Sequence, residues 1–234
     1  MTADRRAELE ASLAAVRERI ARACAAAGRS AEEVTLVVVT KFFPASDVRI
    51  LADLGVRAVG ENRHQEAEAK AAECADLGLS WHFIGSIQSN KAAAIARYAD
   101  VVESVDRVKL VGALDRGAHE SGRAVDCLVQ VSLDPPGRAG RSGADASDVR
   151  RVAAALEEAG SLRLRGVMAV APLGEPARPA FEHLAEVAAQ LRAEHPGATV
   201  VSAGMSGDLE DAVACGATHV RIGSAVLGPR PVTR

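Results

Sequence analysis

The sequence predicts a parallel (β/α)8 TIM barrel, and three observations lead to that fold class. Short β-branched runs alternate with helical segments along the chain of 234 residues, as is typical of a parallel sheet covered by helices. Eight such runs can be counted, which is the number of strands that closes a barrel. No composition break divides the chain, so residues 1–234 are expected to form one α/β domain. A doubly wound open sheet is the alternative.

Each predicted strand is short, apolar and bounded by turn residues. In the first, Thr35–Thr40, apolar side chains would point to both faces of the strand, as expected for a strand that is covered on both faces. Seven later runs share this composition, and they lie at Arg57–Gly60, Trp81–Gly85, Val101–Ser104, Asp126–Leu133, Leu164–Val170, Thr199–Ala203 and His219–Ile222.

Helices are predicted in the intervals between the strands. Leu9, Leu13, Val16 and Ile20 recur at helical spacing in an N-terminal helix over residues 5–27 that ends at Gly28. Few residues follow the eighth strand, so this extra helix is expected to fill the last place in the outer ring. Further helices are predicted over residues 46–54, 64–77, 178–193 and 208–214, with N-caps at Ser46, Ser89, Asp106 and Ser147 and helix ends at Gly55, Gly78, Gly122 and Gly160.

Composition argues against several classes of protein. A net charge of -3 and an aromatic content of 3% do not favour nucleic-acid binding. The cysteines are far apart and form no CxxC pair, which argues against a zinc ribbon and for a reducing compartment. The N-terminus lacks the apolar core of a signal peptide, and no apolar run approaches about 18 residues. The protein is therefore expected to be cytoplasmic.

Lys41 is the first candidate for chemistry, because it stands at the exit of the first predicted strand. The carboxyl ends of barrel strands carry the working groups of barrel proteins. An ammonium partly withdrawn from water has a lowered pKa, and its neutral amine can form a Schiff base. The alternative is a lysine that marks the exit of the strand into solvent.

Glycine and serine follow the last two predicted strands. The runs are Gly204–Gly207 and Gly223–Ser224, where glycine permits close approach to the backbone and the hydroxyls add donors. Barrels frequently bind phosphate after strands seven and eight, so these runs predict a phosphate site, with ordinary glycine turns as the alternative. A Pro/Gly-rich loop over residues 134–143 also carries Arg138 and Arg141, which could meet an anion or simply be solvated.

Other residues point away from common catalytic motifs. His82 lies within a strand pattern and is interpreted as a hydrogen-bonded core residue, and the histidines show no metal spacing. The run Gly204–Asp208 is no GxSxG nucleophile elbow, because its fifth residue is aspartate. GxGxxG and Walker motifs are absent from the sequence.

Seven short motifs follow one another from about Val34 to Gly228. They are Val39-Thr-Lys41, Gly60-Glu-Asn62, Trp81-His-Phe-Ile-Gly85, Gln88-Ser-Asn-Lys91, Gly204-Met-Ser206, Asp208-Leu-Glu210 and Arg221-Ile-Gly-Ser224. Together they resemble the YggS/PROSC family of pyridoxal phosphate homeostasis proteins, also called PLP-binding proteins. The resemblance covers most of the chain and implies a barrel like the N-terminal domain of alanine racemase.

The resemblance also implies a cofactor and the residues that bind it. It implies that pyridoxal 5'-phosphate (PLP) is held as a Schiff base on Lys41. Ser206, Gly223 and Ser224 would hold its phosphate, and Arg221 would face its pyridine nitrogen. Asn62 is expected to be a further cofactor-binding residue.

The sequence departs from the commonest family pattern at three places. Arg63-His64 stands where an aromatic residue often follows the asparagine, and Leu227 stands where phenylalanine is frequent. Ser224 replaces a common threonine and keeps the hydroxyl. These changes concern the walls of the pocket rather than cofactor binding.

The resemblance implies a PLP carrier or buffer rather than an enzyme. Arg221 is permanently cationic and would disfavour a second positive charge on the ring nitrogen, which weakens the ring as an electron sink. Tyr98, the chain's only tyrosine, is expected far from the strand exits, and the second domain of alanine racemase is not expected. The expected partners are PLP and apo PLP-dependent enzymes, and the expected state is a monomer. The alternatives are a small PLP-dependent amino-acid racemase and a PLP-free barrel for a sugar phosphate or nucleotide.

Overall fold

Eight parallel strands form a closed barrel in chain order in the computed structural model, which describes residues 2–134 and 142–230. The strands are β1 Thr35–Val39, β2 Ala58–Glu61, β3 Ser80–Phe83, β4 Val101–Val105, β5 Val125–Gln130, β6 Leu162–Met168, β7 Val200–Ser202 and β8 His219–Ile222. The barrel closes where β1 pairs with β8, from Thr35 opposite His219 to Val38 opposite Ile222. The predicted barrel is confirmed, and the open sheet is excluded.

The helices form a ring around the barrel. They are α1 Thr2–Ala26, α2 Ala45–Asp53, α3 His64–Glu73, α4 Ala92–Ala96, α5 Val108–Glu120, α6 Ala146–Glu157, α7 Ala177–Glu194, α8 Leu209–Ala214 and α9 Ser224–Leu227. The last helix has only one turn, and α1 packs against α2, α8 and α9. The N-terminal helix therefore takes the place expected for it in the ring. Within residues 2–134 and 142–230, no helix has the length and apolarity needed to cross a membrane.

The apolar stripe of α1 explains how the helix is held there. Leu9, Leu13, Val16 and Ile20 are buried in one cluster that also contains Val220 of β8. Burial of each such side chain contributes about 1.5–3 kcal/mol relative to exposure. The helical spacing of these residues thus correctly predicts the buried face.

The four predicted N-cap residues are wrong. The N-caps that replace Ser46, Ser89, Asp106 and Ser147 are Pro44, Lys91, Arg107 and Asp145. Of these, Asp145 accepts hydrogen bonds from the backbone N–H groups of Ser147 and Asp148, whereas the other three make no side-chain cap. Packing of an apolar face stabilises most protein helices, so a helix can begin without a cap.

Candidate functional site

A cavity of about 290 Å3 opens at the carboxyl ends of β1 and β8. It brings together five of the six residues that the sequence singles out for a site, namely Lys41, Ser206, Arg221, Gly223 and Ser224. A larger cavity of about 520 Å3 lies between α1, α7 and α8. That larger cavity contains no lysine, so the Lys41 cavity is the better candidate for covalent chemistry.

Asn62, the sixth predicted residue, is not among the residues that line the cavity. Its side chain is half-buried, and Oδ1 is buried with no hydrogen-bond partner in the described part of the chain. A Cβ atom on Gly85 would lie 2.2 Å from the carbonyl oxygen of Asn62. Gly85, which follows β3, therefore lets the backbone of Asn62 approach closely. A role of Asn62 in cofactor binding stays a prediction.

Lys41 is half-buried in the cavity and its ammonium has no partner among the described residues. Burial lowers the pKa of Lys41 from its usual value, and the guanidinium groups of Arg230 and Arg63 lower it further. The carboxylates of Glu61 and Glu66 act in the opposite direction but do not reverse the shift. The neutral, nucleophilic amine is therefore more populated at Lys41 than on a solvated lysine.

The turn that carries Lys41 has an uncommon backbone. Phe42 adopts a φ of 71° and is the only non-glycine residue with positive φ in the described part of the chain. Its N–H donates to Glu66 Oε1 at 2.5 Å. Non-glycine residues with positive φ are uncommon and cluster at functional sites, where the surroundings hold them in place.

A buried cluster behind this turn holds it against α3. Lys70 Nζ donates to the carbonyl oxygen of Thr40 at 2.8 Å, to Glu61 Oε1 at 2.5 Å and to Glu66 Oε1 at 2.9 Å. The hydroxyl of Thr40 donates to Glu61 Oε1 at 2.6 Å. Burial raises the pKa of Glu61, while Lys70 and Thr40 act to lower it. The cluster was missed from the sequence, although Glu66 and Lys70 stand at an i,i+4 spacing that favours an ion pair.

The loop after β7 is built around Gly204 and Ser206. Gly204 has a φ of 93°, and a Cβ there would lie 2.7 Å from the Cβ of Ala212. Arg19 of α1 donates to the carbonyl oxygen of Ser206 at 2.7 Å and also binds Glu210 at 2.5 Å. Arg19 thus links the N-terminal helix to this loop. Sequence reasoning missed it, because no local signal connects residues that are 187 positions apart.

The hydroxyl groups of Ser206 and Ser224 are available to a ligand. Neither makes a hydrogen bond to another described residue, and both side chains line the cavity. A Cβ on Gly223 would lie 3.3 Å from the carbonyl oxygen of Val39, so the glycine also fits closely against β1. The two hydroxyls and the bare glycine backbone suit an oxyanion such as phosphate.

Arg221 is held from inside the barrel. Its guanidinium donates to Ser202 Oγ at 2.6 Å and to the carbonyl oxygen of Ala169 at 2.7 Å, and Glu103 Oε2 lies 3.7 Å away. Ser202 donates to Glu103 at 2.6 Å. Arg221 and Ser202 lie on the neighbouring strands β8 and β7, whereas Glu103 lies on β4, so the contacts to Glu103 run through the barrel interior. The network fixes the cation at the floor of the cavity.

The carboxylate of Glu103 stays ionised although it is fully buried. Burial alone would raise its pKa, but the hydrogen bond from His82 at 2.6 Å and the charges of His82 and Arg221 bring it to about 2. Burial lowers the pKa of the neighbouring His219 to about 4. The interpretation of His82 as a hydrogen-bonded core residue is confirmed.

The remaining sequence candidates lie away from the cavity. Tyr98 follows α4 and stacks on His64 with the ring centroids 5.8 Å apart. No group of His, Cys, Asp and Glu that could hold a metal ion is present in residues 2–134 and 142–230. Arg138 and Arg141 lie outside the described residues.

The fold and the cavity define a class, the (β/α)8 barrels with a lysine at the end of the first strand and glycine–serine loops after the last two. A family model described as "Alanine racemase, N-terminal domain" matches residues 11–231. The pyridoxal phosphate homeostasis protein of Mycobacterium bovis is 46% identical over 246 aligned positions, covering 97% of this chain and 95% of that protein. The chain therefore belongs to the family of pyridoxal phosphate homeostasis proteins, as its motifs indicate.

Solved structures agree with this assignment. The structure of PipY from Synechococcus elongatus with PLP bound is 36% identical, with a TM-score of 0.81, and the match covers 94% of this chain and 100% of that one. Alanine racemase from Streptomyces coelicolor A3(2) is 20% identical, with a TM-score of 0.73, and the match covers 94% of this chain and 58% of that one. The likeness to the racemase shows a shared fold.

Proposed function

We propose that this chain binds PLP in the Lys41 cavity and acts in PLP homeostasis as a carrier or buffer. The observation that carries the proposal is that the amine of Lys41, which has no partner among the described residues, shares one cavity with Ser206 and Ser224. Membership of the homeostasis family supports it, as does the PLP-bound structure of PipY. We further propose a cytoplasmic monomer whose PLP passes to apo PLP-dependent enzymes.

The residues of the cavity fit PLP. Apolar walls from Val39, Ile84 and Met205 suit an aromatic ring, and the volume of about 290 Å3 suits a small ligand. Ser206 and Ser224 would hold the phosphate. When bound, PLP supplies an aldehyde that reacts with amines and a ring that withdraws electrons.

Two properties of the cavity support a carrier rather than a catalyst. Glu103 and Ser202 hold Arg221 in place as a cation, and a cation disfavours protonation of a ring nitrogen beside it. Among the lining residues that the structure describes, Lys41 is the only group that can act as a base near neutral pH. A two-base racemisation needs a second base on the opposite side of the substrate.

The fold shared with alanine racemases favours one competing function, a small PLP-dependent amino-acid racemase. Racemisation of alanine by the PLP-loaded protein, with Lys41→Ala as the control, separates the two functions. We expect little or no turnover. A rate of about 1 per second or more, which is ordinary for an enzyme, would contradict the carrier proposal.

PLP binding itself is tested by absorbance and peptide mapping. The purified protein with PLP should absorb in the visible region, and borohydride reduction should leave a pyridoxyl group on Lys41. Lys41→Ala should lose both signals. A pyridoxyl group on Lys70, Lys91 or Lys109 instead would refute the assignment.

A further inference from the structure

Two arginines beside Lys41 lie over one aromatic ring and have no anionic partner among the residues that the structure describes. The guanidinium carbon of Arg63 is 4.7 Å from the ring centroid of Phe42, and that of Arg230 is 4.9 Å from the same centroid. No carboxylate of residues 2–134 and 142–230 forms an ion pair with either arginine. Both positive charges therefore lie against one ring without a counter-anion in the described part of the chain.

A neighbouring pair shows that such stacking does not by itself exclude a counter-anion. Arg5 lies 5.8 Å from the ring centroid of Phe43. It binds Asp47 at 2.7 Å and Glu8 at 2.8 Å. Its charge is thus balanced by two carboxylates, whereas no carboxylate of the described residues balances the two arginines at Phe42.

The nearby carboxylates are already engaged. Glu61 and Glu66 both accept from Lys70, and Glu66 also accepts the N–H of Phe42. Lys41 adds a third positive group when it is protonated, and the charges of Arg230 and Arg63 both act to lower its pKa. Like charges within the Debye length of about 10 Å repel one another, so a bound anion would stabilise this arrangement.

We propose that Arg63 and Arg230 form an oxyanion subsite at the mouth of the Lys41 cavity and that this subsite takes the carboxylate of a small amino or keto acid. Guanidinium groups bind planar carboxylates through two parallel hydrogen bonds. Phosphate already has donors elsewhere in the cavity, at Ser206 and Ser224. Because Arg230 lines the cavity, a carboxylate bound there would lie beside a ligand on Lys41; this placement rests on the proposed function.

Propionate is a suitable probe, because it carries a carboxylate but no amine that could react with the cofactor. Its dissociation constant is measured by ligand-observed NMR with two forms of the protein, the PLP-free form and the form reduced with borohydride after PLP loading. Propionamide, which has the same shape without the charge, is the ligand control. We expect propionate to bind both forms and propionamide to bind neither.

Variants then locate the subsite. Arg63→Gln and Arg230→Gln should each weaken propionate binding about tenfold or more, as expected for loss of a charge-assisted hydrogen bond. Phe42→Leu keeps both charges but removes the ring that both guanidinium groups contact, and should also weaken binding. Arg192→Gln on the exposed face of α7 removes the same charge far from the cavity and should leave propionate binding unchanged.

Three results would overturn the proposal. Propionate could fail to bind the wild type, or bind Arg63→Gln and Arg230→Gln as tightly as the wild type. Propionate could also bind the PLP-free form and not the PLP-loaded form. That result would mean that Arg63 and Arg230 bind the phosphate of PLP rather than a separate carboxylate. If the proposed function were wrong, no pyridoxyl group would form on Lys41. The titration of the PLP-free protein with propionate would still show whether the subsite exists, so the two failures can be told apart.

Discussion

Lys41 and Lys70 lie on two sides of the same turn, and their ammonium groups differ in whether they have hydrogen-bond partners. Lys70 is the more deeply buried, at 6% exposure, yet its ammonium has three oxygen partners on Thr40, Glu61 and Glu66. Lys41 is only half-buried and has none among the described residues. A buried ammonium that is fully hydrogen-bonded serves the structure, whereas one that lacks partners is free to react. The absence of partners, rather than the depth of burial, distinguishes the two lysines.

Replacing each lysine with methionine should change the free energy of unfolding in opposite directions, and this is the largest effect we expect. Lys70→Met leaves the buried carboxylate of Glu61 without its cation and should lower the free energy of unfolding by about 3–5 kcal/mol. Lys41→Met should instead preserve or raise stability at neutral pH, because it removes a half-buried charge that has no partner. Urea denaturation of both variants measures the difference.

The pH dependence of stability checks the expected effect of Lys41→Met on the free energy of unfolding. The pKa of Lys41 is lower in the folded than in the unfolded chain, so protonation disfavours the folded state. This penalty is complete below the folded pKa and disappears above the unfolded value of about 10.4. The stability advantage of Lys41→Met should therefore shrink as pH rises toward that value. An advantage that grew with pH would contradict the lowered pKa.

Substitutions in the loops after β7 and β8, which carry Ser206 and Ser224, should have the next largest effect, on PLP affinity. Ser206→Ala and Ser224→Ala should each weaken PLP binding by about 1.5–3 kcal/mol, the worth of a hydrogen bond to a charged group. Binding of pyridoxal, which lacks the phosphate, should change little in either variant. Fluorescence or absorbance titrations with both ligands measure this, and equal losses for the two ligands would place the serines in another role.

The groups around Lys41 should tune the pH at which it captures an aldehyde. The carboxylate of Glu66 raises the pKa of Lys41, and the guanidinium of Arg230 lowers it. Glu66→Gln should therefore shift the midpoint of capture to lower pH, and Arg230→Gln should shift it to higher pH. The rate of pyridoxal capture against pH gives both midpoints. Shifts in the same direction would show that electrostatics does not control Lys41.

Arg19 should give the smallest effect. Arg19→Gln removes a partly exposed ion pair with Glu210 and a hydrogen bond to the carbonyl oxygen of Ser206. Such pairs contribute about 0.2–1 kcal/mol, so PLP affinity should fall by less than it does for Ser206→Ala. A loss as large as that of Ser206→Ala would mean that α1 controls the geometry of the loop.

Several features of the site follow from local sequence. Lys41, Arg221 and Gly223 stand at or just after the ends of strands, and parallel strands place those ends at one rim of the barrel. Their convergence on one cavity could therefore be anticipated from strand order alone. Asn62 also follows a strand end, but it does not line the cavity, and its backbone packs closely against Gly85.

The sequence by itself determined the eight strands, the buried face of α1 and the candidates at the strand ends, since these depend on periodicity and on residue type. Only the tertiary structure decided that the ammonium of Lys70 has oxygen partners while that of Lys41 has none among the described residues. Hydrogen bonds of Lys70 reach Thr40 and Glu61, and those of Arg221 reach Ser202 and Ala169, across distances in the chain that no local pattern encodes. Charge and burial act through space, and the closed barrel brings those groups together.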